Sequence, residues 1–240
     1  SWRNAAPVQR GHIAMGTLVT IKLYGDQDLS LAALELGTAE FDRVETIMSH
    51  HSRTSELARV ESLAVTATTS CSVELGQVLR RSQEFARASD GAFDITVGAF
   101  SRQWNFPDGN VVPDSSALQS VRDRVGHRLV QLDGNSLRLT RPGVQLDLGA
   151  AAKGYAVDRC AAALQQRGVP AGLIEAGGDI RYWGHKPDGS AWRFGIQHPR
   201  RPDEIIEVED IGLSALATTG DYEQYFELEG QRFHRILDPR

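Results

Sequence analysis

Cysteine is nearly missing from this chain: Cys71 and Cys160 are the only two, far apart and in no CxxC pair. That leaves two buried thiols as the reading and the redox compartment open. Long apolar runs are missing too, since none approaches the roughly 20 residues that a membrane span needs. The opening SWRNAAPVQRG has no signal-type apolar segment, so Ser1 is expected to be a mature or trimmed start. Positive charge is not in excess: 26 basic residues stand against 31 acidic ones, net charge is −5, and the basic residues are scattered. Such a chain lacks the electrostatic footprint of a nucleic-acid binder, and any anionic ligand must be held by local devices. Internal repeats, low-complexity tracts and Pro/Gly linkers are also lacking. With 240 residues, 41% of them hydrophobic, the chain is expected to fold as one continuous domain, 1–240, with a sizeable core.

What is present reads as helices early and strands late. MGTLVTIKLYG (15–25) alternates and ends in Gly-Asp, a strand and turn. Residues 30–48 carry Leu31, Leu34, Phe41, Val44 and Met48 at helical spacing, with Ser30 as N-cap. A second amphipathic helix fits 73–89, with Leu75, Val78, Leu79, Ser82, Phe85 and Ala86 on one side and Gly91 as its stop. LVQLDGNSLRLTR (129–141) places Asp-Gly between two alternating runs, a hairpin signal. Further strands are expected at 172–175, 180–183, 192–197, 205–211 and 223–237, the last split by Glu229-Gly230. One helix inside 150–167 completes the pattern, which favours α+β over a doubly wound sheet.

The chemistry concentrates in glycine-rich stretches. In LDLGAAAKGYAVDRC (146–160), QLDLG ends a strand, Gly149 sits at the turn, and Ala150 to Gln166 runs as a helix. A helix start exposes unpaired N–H groups and positive dipole, both suited to phosphate. Lys153 is unfavourable against that dipole, which makes it a candidate phosphate contact; the alternative is a lysine that snorkels to solvent. EAGGDIRYWG (175–184) sets Gly177-Gly178 between strands beside Asp179, allowing either close approach to a flat ligand or a bulged turn. Thr218 and Thr219 before Gly220 either bind phosphate or cap a turn. Phe93, Asp94 and Thr96 in SDGAFDITVG suit a heteroaromatic ring or simply pack.

In this order, MGT, SELARVE after Ser49, GAFDITVG, LDLGAAAKGYAVD, EAGGD, TTGDY and ILDPR closely resemble the ApbE family of FAD:protein FMN transferases, over roughly residues 11 to 240. The resemblance implies an α+β fold of mostly antiparallel sheets with packed helices in two intimate subdomains. It also implies a Mg²⁺-dependent enzyme that moves FMN from FAD onto a threonine hydroxyl of a partner flavoprotein and releases AMP. By the resemblance Met15, His51, Phe93, Asp94, Thr96, Lys153, Asp158, Gly177, Gly178, Asp179 and Thr218 fall within motifs that bind FAD. The carbonyl of Ala152 matches a metal ligand, and Thr219, His234 and Arg235 are the catalytic candidates. A periplasmic or cell-envelope location is implied, with membrane association only through a lipid anchor; no lipid-bearing cysteine lies near Ser1.

The chain departs from the family pattern at four places. His51 stands where an aromatic residue is usual, and Thr219 where a serine is usual. Arg235 occupies the usual histidine position, with His234 one step earlier and so on the other face of a strand. After Arg240 the family continues with Thr-Gly and a segment whose Asp and Thr ligate Mg²⁺. The expectation is a family domain whose C-terminal part is missing, which binds FAD but transfers FMN poorly. A flavin-binding protein without turnover and an FAD pyrophosphatase yielding FMN and AMP are the alternatives.

Overall fold

The computed structural model describes residues 6–104, 111–209, 214–221 and 225–240. Its contacts divide the chain into two compact units: Ser1–Glu45 with Ala152–Gly220, and Thr46–Ala151 with Asp221–Arg240.

The first unit is built on five antiparallel strands: β1 (Val8–Ala14), β2 (Thr17–Tyr24), β6 (Ala171–Ala176), β7 (Asp179–Trp183) and β10 (Ala215–Ala217), in the order β1-β2-β6-β7-β10. The expected alternation sets β2: Val19, Ile21 and Leu23 are buried on one face, with Ile21 opposite Ile174 and Val19 opposite Ala176. Helices α1 (Gln27–Met48) and α6 (Gly149–Gln166) belong to this layer. They approach it closely at Gly37, where a Cβ would lie 2.8 Å from Ile21 Cδ1 and 3.2 Å from Cys160 Sγ. Tyr24 and Leu173, on the other face of the sheet, pack with buried Tyr182, Trp192 and Phe194, the last from the hairpin β8 (Arg193–His198) and β9 (Arg201–Glu209). Helix α1 begins at Gln27 rather than at Ser30. Asp26 Oδ1 accepts from the N–H of Leu29, and Ser30 is buried inside the helix. An aspartate four residues upstream therefore supplies the cap in place of the expected serine.

The second unit holds α2 (Glu56–Ala64), α3 (Val73–Ala88), α4 (Gly98–Trp104) and α5 (Ser115–Val121), with a sheet of β3 (Thr69–Ser70), β5 (Ser136–Leu139) and β4 (Val130–Asp133) and a hairpin of β11 (Tyr225–Leu228) and β12 (Gln231–His234). Ser55 and Ser72 cap α2 and α3 by accepting from Ala58 N–H (3.1 Å) and Leu75 N–H (3.2 Å). Helix α3 ends in a Schellman motif: Gly91 N–H donates to Ala86 C=O and Asp90 N–H to Arg87 C=O, with Asp90 in the left-handed region. Phe85 leaves the expected buried side and is 49% exposed, held by Arg81 over its ring. The expected strand at QLDLG is absent, because only Gln145 makes a single parallel bridge, to Val97. The sequence pattern does not predict strands β1, β3 and β10 or helices α2, α4 and α5. Residues 210–211 and 223–224 of the expected strands lie outside the described residues. Among the described residues no helix is long and apolar enough to cross a membrane.

Candidate functional site

In the first unit, four of the motif blocks meet at one turn. Gly177 and Gly178, both at positive φ (58° and 91°), reverse the chain between β6 and β7. A Cβ on Gly177 would stand 2.7 Å from Thr17 Oγ1, and one on Gly178 3.2 Å from Thr218 C=O. Thr218 N–H donates to Gly178 C=O at 3.0 Å, and Gly178 N–H to Glu175 Oε1 at 2.8 Å. Asp179 Oδ2 faces α6 at Gly154, 4.0 Å from where a Cβ would be. Met15, at φ 53° in the turn between β1 and β2, donates its N–H to Glu45 Oε2. MGT, AAAKG, EAGGD and the first threonine of TTG are thus one neighbourhood. Thr218 and Thr219 are exposed and Lys153 is half-buried. Asp158 is exposed too, 3.7 Å from Arg181.

In the second unit, Asp94 is built into the fold. Its Oδ1 accepts from the N–H (2.8 Å) and the hydroxyl (2.7 Å) of Thr96, and Thr96 Oγ1 accepts from Gly126 N–H at 2.7 Å. His127 Nδ1 lies 3.9 Å from Asp94 Oδ2. Both Asp94 and Thr96 are buried, so these two sequence candidates brace a loop in this structure. Phe93 meets Phe85 edge to face, with centroids 6.0 Å apart.

A second cluster surrounds the start of α6. Asp147 N–H donates to Ile95 C=O at 2.7 Å, and Leu146 N–H donates to Glu61 Oε2 at 2.6 Å, so GAFDITVG and the SELARVE helix both hold the LDLG segment. Asp147 Oδ1 accepts from Gly149 N–H at 2.8 Å and lies 3.3 Å from His50 Nδ1; Oδ2 accepts from Ser101 Oγ at 3.3 Å. At the expected phosphate cradle the first N–H of α6, that of Gly149, faces the Asp147 carboxylate, and Lys153 is the fifth helical residue. The aspartate two residues before a helix start was the available signal, an Asx-type cap. Burial lowers the pKa of His50, with Asp147 opposing and His51, Arg102 and Arg235 adding to the lowering. Burial raises that of Glu61, offset by its bond to Leu146. The rings of His50 and His51 stand 3.9 Å apart, tilted by 42°.

At the C-terminus, His234 is the last residue of β12 and its Nδ1 accepts from Ile236 N–H at 3.2 Å; Arg235 is exposed. Ala152 is buried within α6, where a carbonyl ordinarily accepts from the N–H four residues on. Among the described residues no group of three or more His, Cys, Asp or Glu side chains is placed to hold a metal ion.

Proteins named FAD:protein FMN transferase are similar to this chain: one from Vibrio cholerae is 34% identical over 97% of the chain and 72% of its own length, and one from Treponema pallidum is 31% identical over 96% and 69%. The crystal structure of the ApbE protein of Thermotoga maritima superposes with a TM-score of 0.88 at 30% identity, covering 97% of this chain and 76% of that one. The flavin transferase ApbE of Vibrio cholerae gives a TM-score of 0.87 at 29% identity, over 98% and 77%. The α+β architecture of antiparallel sheets and helices is theirs as well. With a family model matched over residues 15–240, this chain belongs to the ApbE family.

Proposed function

We propose that this protein is an FAD:protein FMN transferase, which moves the FMN part of FAD onto a threonine hydroxyl of a partner flavoprotein and releases AMP. The observation that carries the reading is the convergence of MGT, AAAKG, EAGGD and Thr218 on the Gly177-Gly178 turn, in a chain whose relatives bear that enzyme name. In the reaction the acceptor oxygen attacks the phosphorus on the riboflavin side of the pyrophosphate. A new O–P bond forms, the bridging O–P bond breaks, and AMP leaves with its electron pair. Pyrophosphate charge calls for fixed cations and donors, for which Lys153 and the exposed hydroxyls of Thr218 and Thr219 are assigned. Phe93 and His51 are assigned to the flavin ring.

Mg²⁺ dependence, the threonine target and a cell-envelope location belong to the proposal and rest on the motif resemblance. When bound, Mg²⁺ would neutralise phosphate charge. The test is incubation with FAD and Mg²⁺, with and without the apo form of a protein that the Vibrio cholerae relative modifies. Expected are AMP release and flavin fluorescence on the denatured acceptor, both abolished by EDTA. AMP release without labelling would mark a pyrophosphatase, and FAD binding with no AMP a protein without turnover.

A further inference from the structure

We propose that His50, oriented by Asp147, is the group that takes the proton from the acceptor hydroxyl. The inference rests on the transfer reaction proposed above and supplies the base that the reaction requires. An attacking hydroxyl must lose its proton as the O–P bond forms, and at neutral pH that proton needs a positioned acceptor. Of the sequence candidates, Arg235 and His234 serve badly as a base. Arg235 stays charged and offers no lone pair, and the Nδ1 of His234 already accepts from Ile236 N–H.

His50 has the arrangement they lack. Its Nδ1 lies 3.3 Å from Asp147 Oδ1. That carboxylate is fixed from two further sides, by Gly149 N–H at 2.8 Å and by the Ser101 hydroxyl at 3.3 Å. A carboxylate facing Nδ1 places the ring proton there and leaves Nε2 as the basic nitrogen. Among the described residues no hydrogen bond is made at Nε2, and the side chain keeps 23% of its surface exposed. The charged or titratable groups that face the ring are Asp147, His51, Arg102 and Arg235. Burial and the cationic neighbours favour neutral imidazole, the form able to accept a proton, while Asp147 stabilises the imidazolium formed after transfer. The proton thus passes from the acceptor oxygen to Nε2 and then to solvent, and AMP departs with the electron pair of the broken bond.

The test is turnover of FAD with the same apo acceptor, followed as AMP release against pH, alongside FAD affinity by fluorescence. His50→Gln keeps the size of the side chain without a basic nitrogen; it should lower kcat by about 10²–10⁴-fold, the range for lost general-base catalysis, with FAD affinity retained. Free imidazole should restore turnover to His50→Gly. The wild-type rate should rise with pH as His50 loses its proton. Arg235→Gln removes an influence that lowers the His50 pKa, so that rise should move to higher pH, and Asp147→Asn should move it to lower pH. A purely structural histidine would produce neither the rescue nor the opposed shifts. If wild type turns over and His50→Gln matches it across the pH range, or if His50→Gln loses FAD binding together with turnover and imidazole restores nothing, the role of His50 is overturned while the transfer reading stands. If wild type itself neither releases AMP nor labels the acceptor, the transfer reading falls, and this proposal with it.

Discussion

Thr96→Val is expected to act on the fold before it acts on flavin. The residue is 0% exposed and its hydroxyl has two tasks, donating to Asp94 Oδ1 at 2.7 Å and accepting from Gly126 N–H at 2.7 Å. Valine fills nearly the same volume, so packing is conserved and only the hydrogen bonds go. Losing a bond to an ionised group costs about 1.5–3 kcal/mol, and leaving the Gly126 N–H without its acceptor about 1–3 kcal/mol more. The total of about 2.5–6 kcal/mol corresponds to a fall in Tm of roughly 5–24 °C for a chain of this size. Thr96→Ser keeps both bonds and gives up a methyl group, for about 1 kcal/mol. Thermal unfolding by circular dichroism, with FAD affinity by calorimetry on the folded fraction, separates the two variants. If Thr96→Val melts with Thr96→Ser while its FAD affinity collapses, the hydroxyl is a ligand contact and the bracing role is refuted.

Three further outcomes follow from the same kind of reasoning. Gly177→Ala should cost about 2–3 kcal/mol, combining left-handed strain with the approach to Thr17, whereas Gly230→Ala, at φ 77° with nothing within 4 Å, should cost about 1 kcal/mol; equal losses in denaturant titrations would show that Thr17 yields freely. Ser82→Ala should stabilise the protein by about 1 kcal/mol, because the buried hydroxyl has no hydrogen-bond partner among the described residues; a lowered Tm would reveal a partner. Lys153→Ala should weaken FAD binding by about 1–3 kcal/mol, and unchanged affinity by calorimetry would remove it from the pyrophosphate site.

Much of this protein is written in local pattern. The period-two run of β2, the spacing of Leu75, Val78 and Leu79 in α3, and the Glu229-Gly230 turn, both residues at positive φ, depend on neighbours a few residues away and so are legible from the chain. The motif blocks are legible for the same reason, since glycine, lysine and threonine at fixed spacing need no partner to be recognised. Partners distant in sequence are another matter. β1 exists because β2 offers it an edge, and QLDLG stays irregular because only Gln145 finds a bridge. His50 and Asp147 are 97 residues apart in the chain, and it took the bonds from Ile95 and Glu61 to bring that aspartate to the histidine. Asp94 and Thr96 could be named from their block, but whether their polar atoms face a ligand or each other is decided by which donors the fold brings within about 3 Å, since buried polar groups must be satisfied by whatever lies nearest in space.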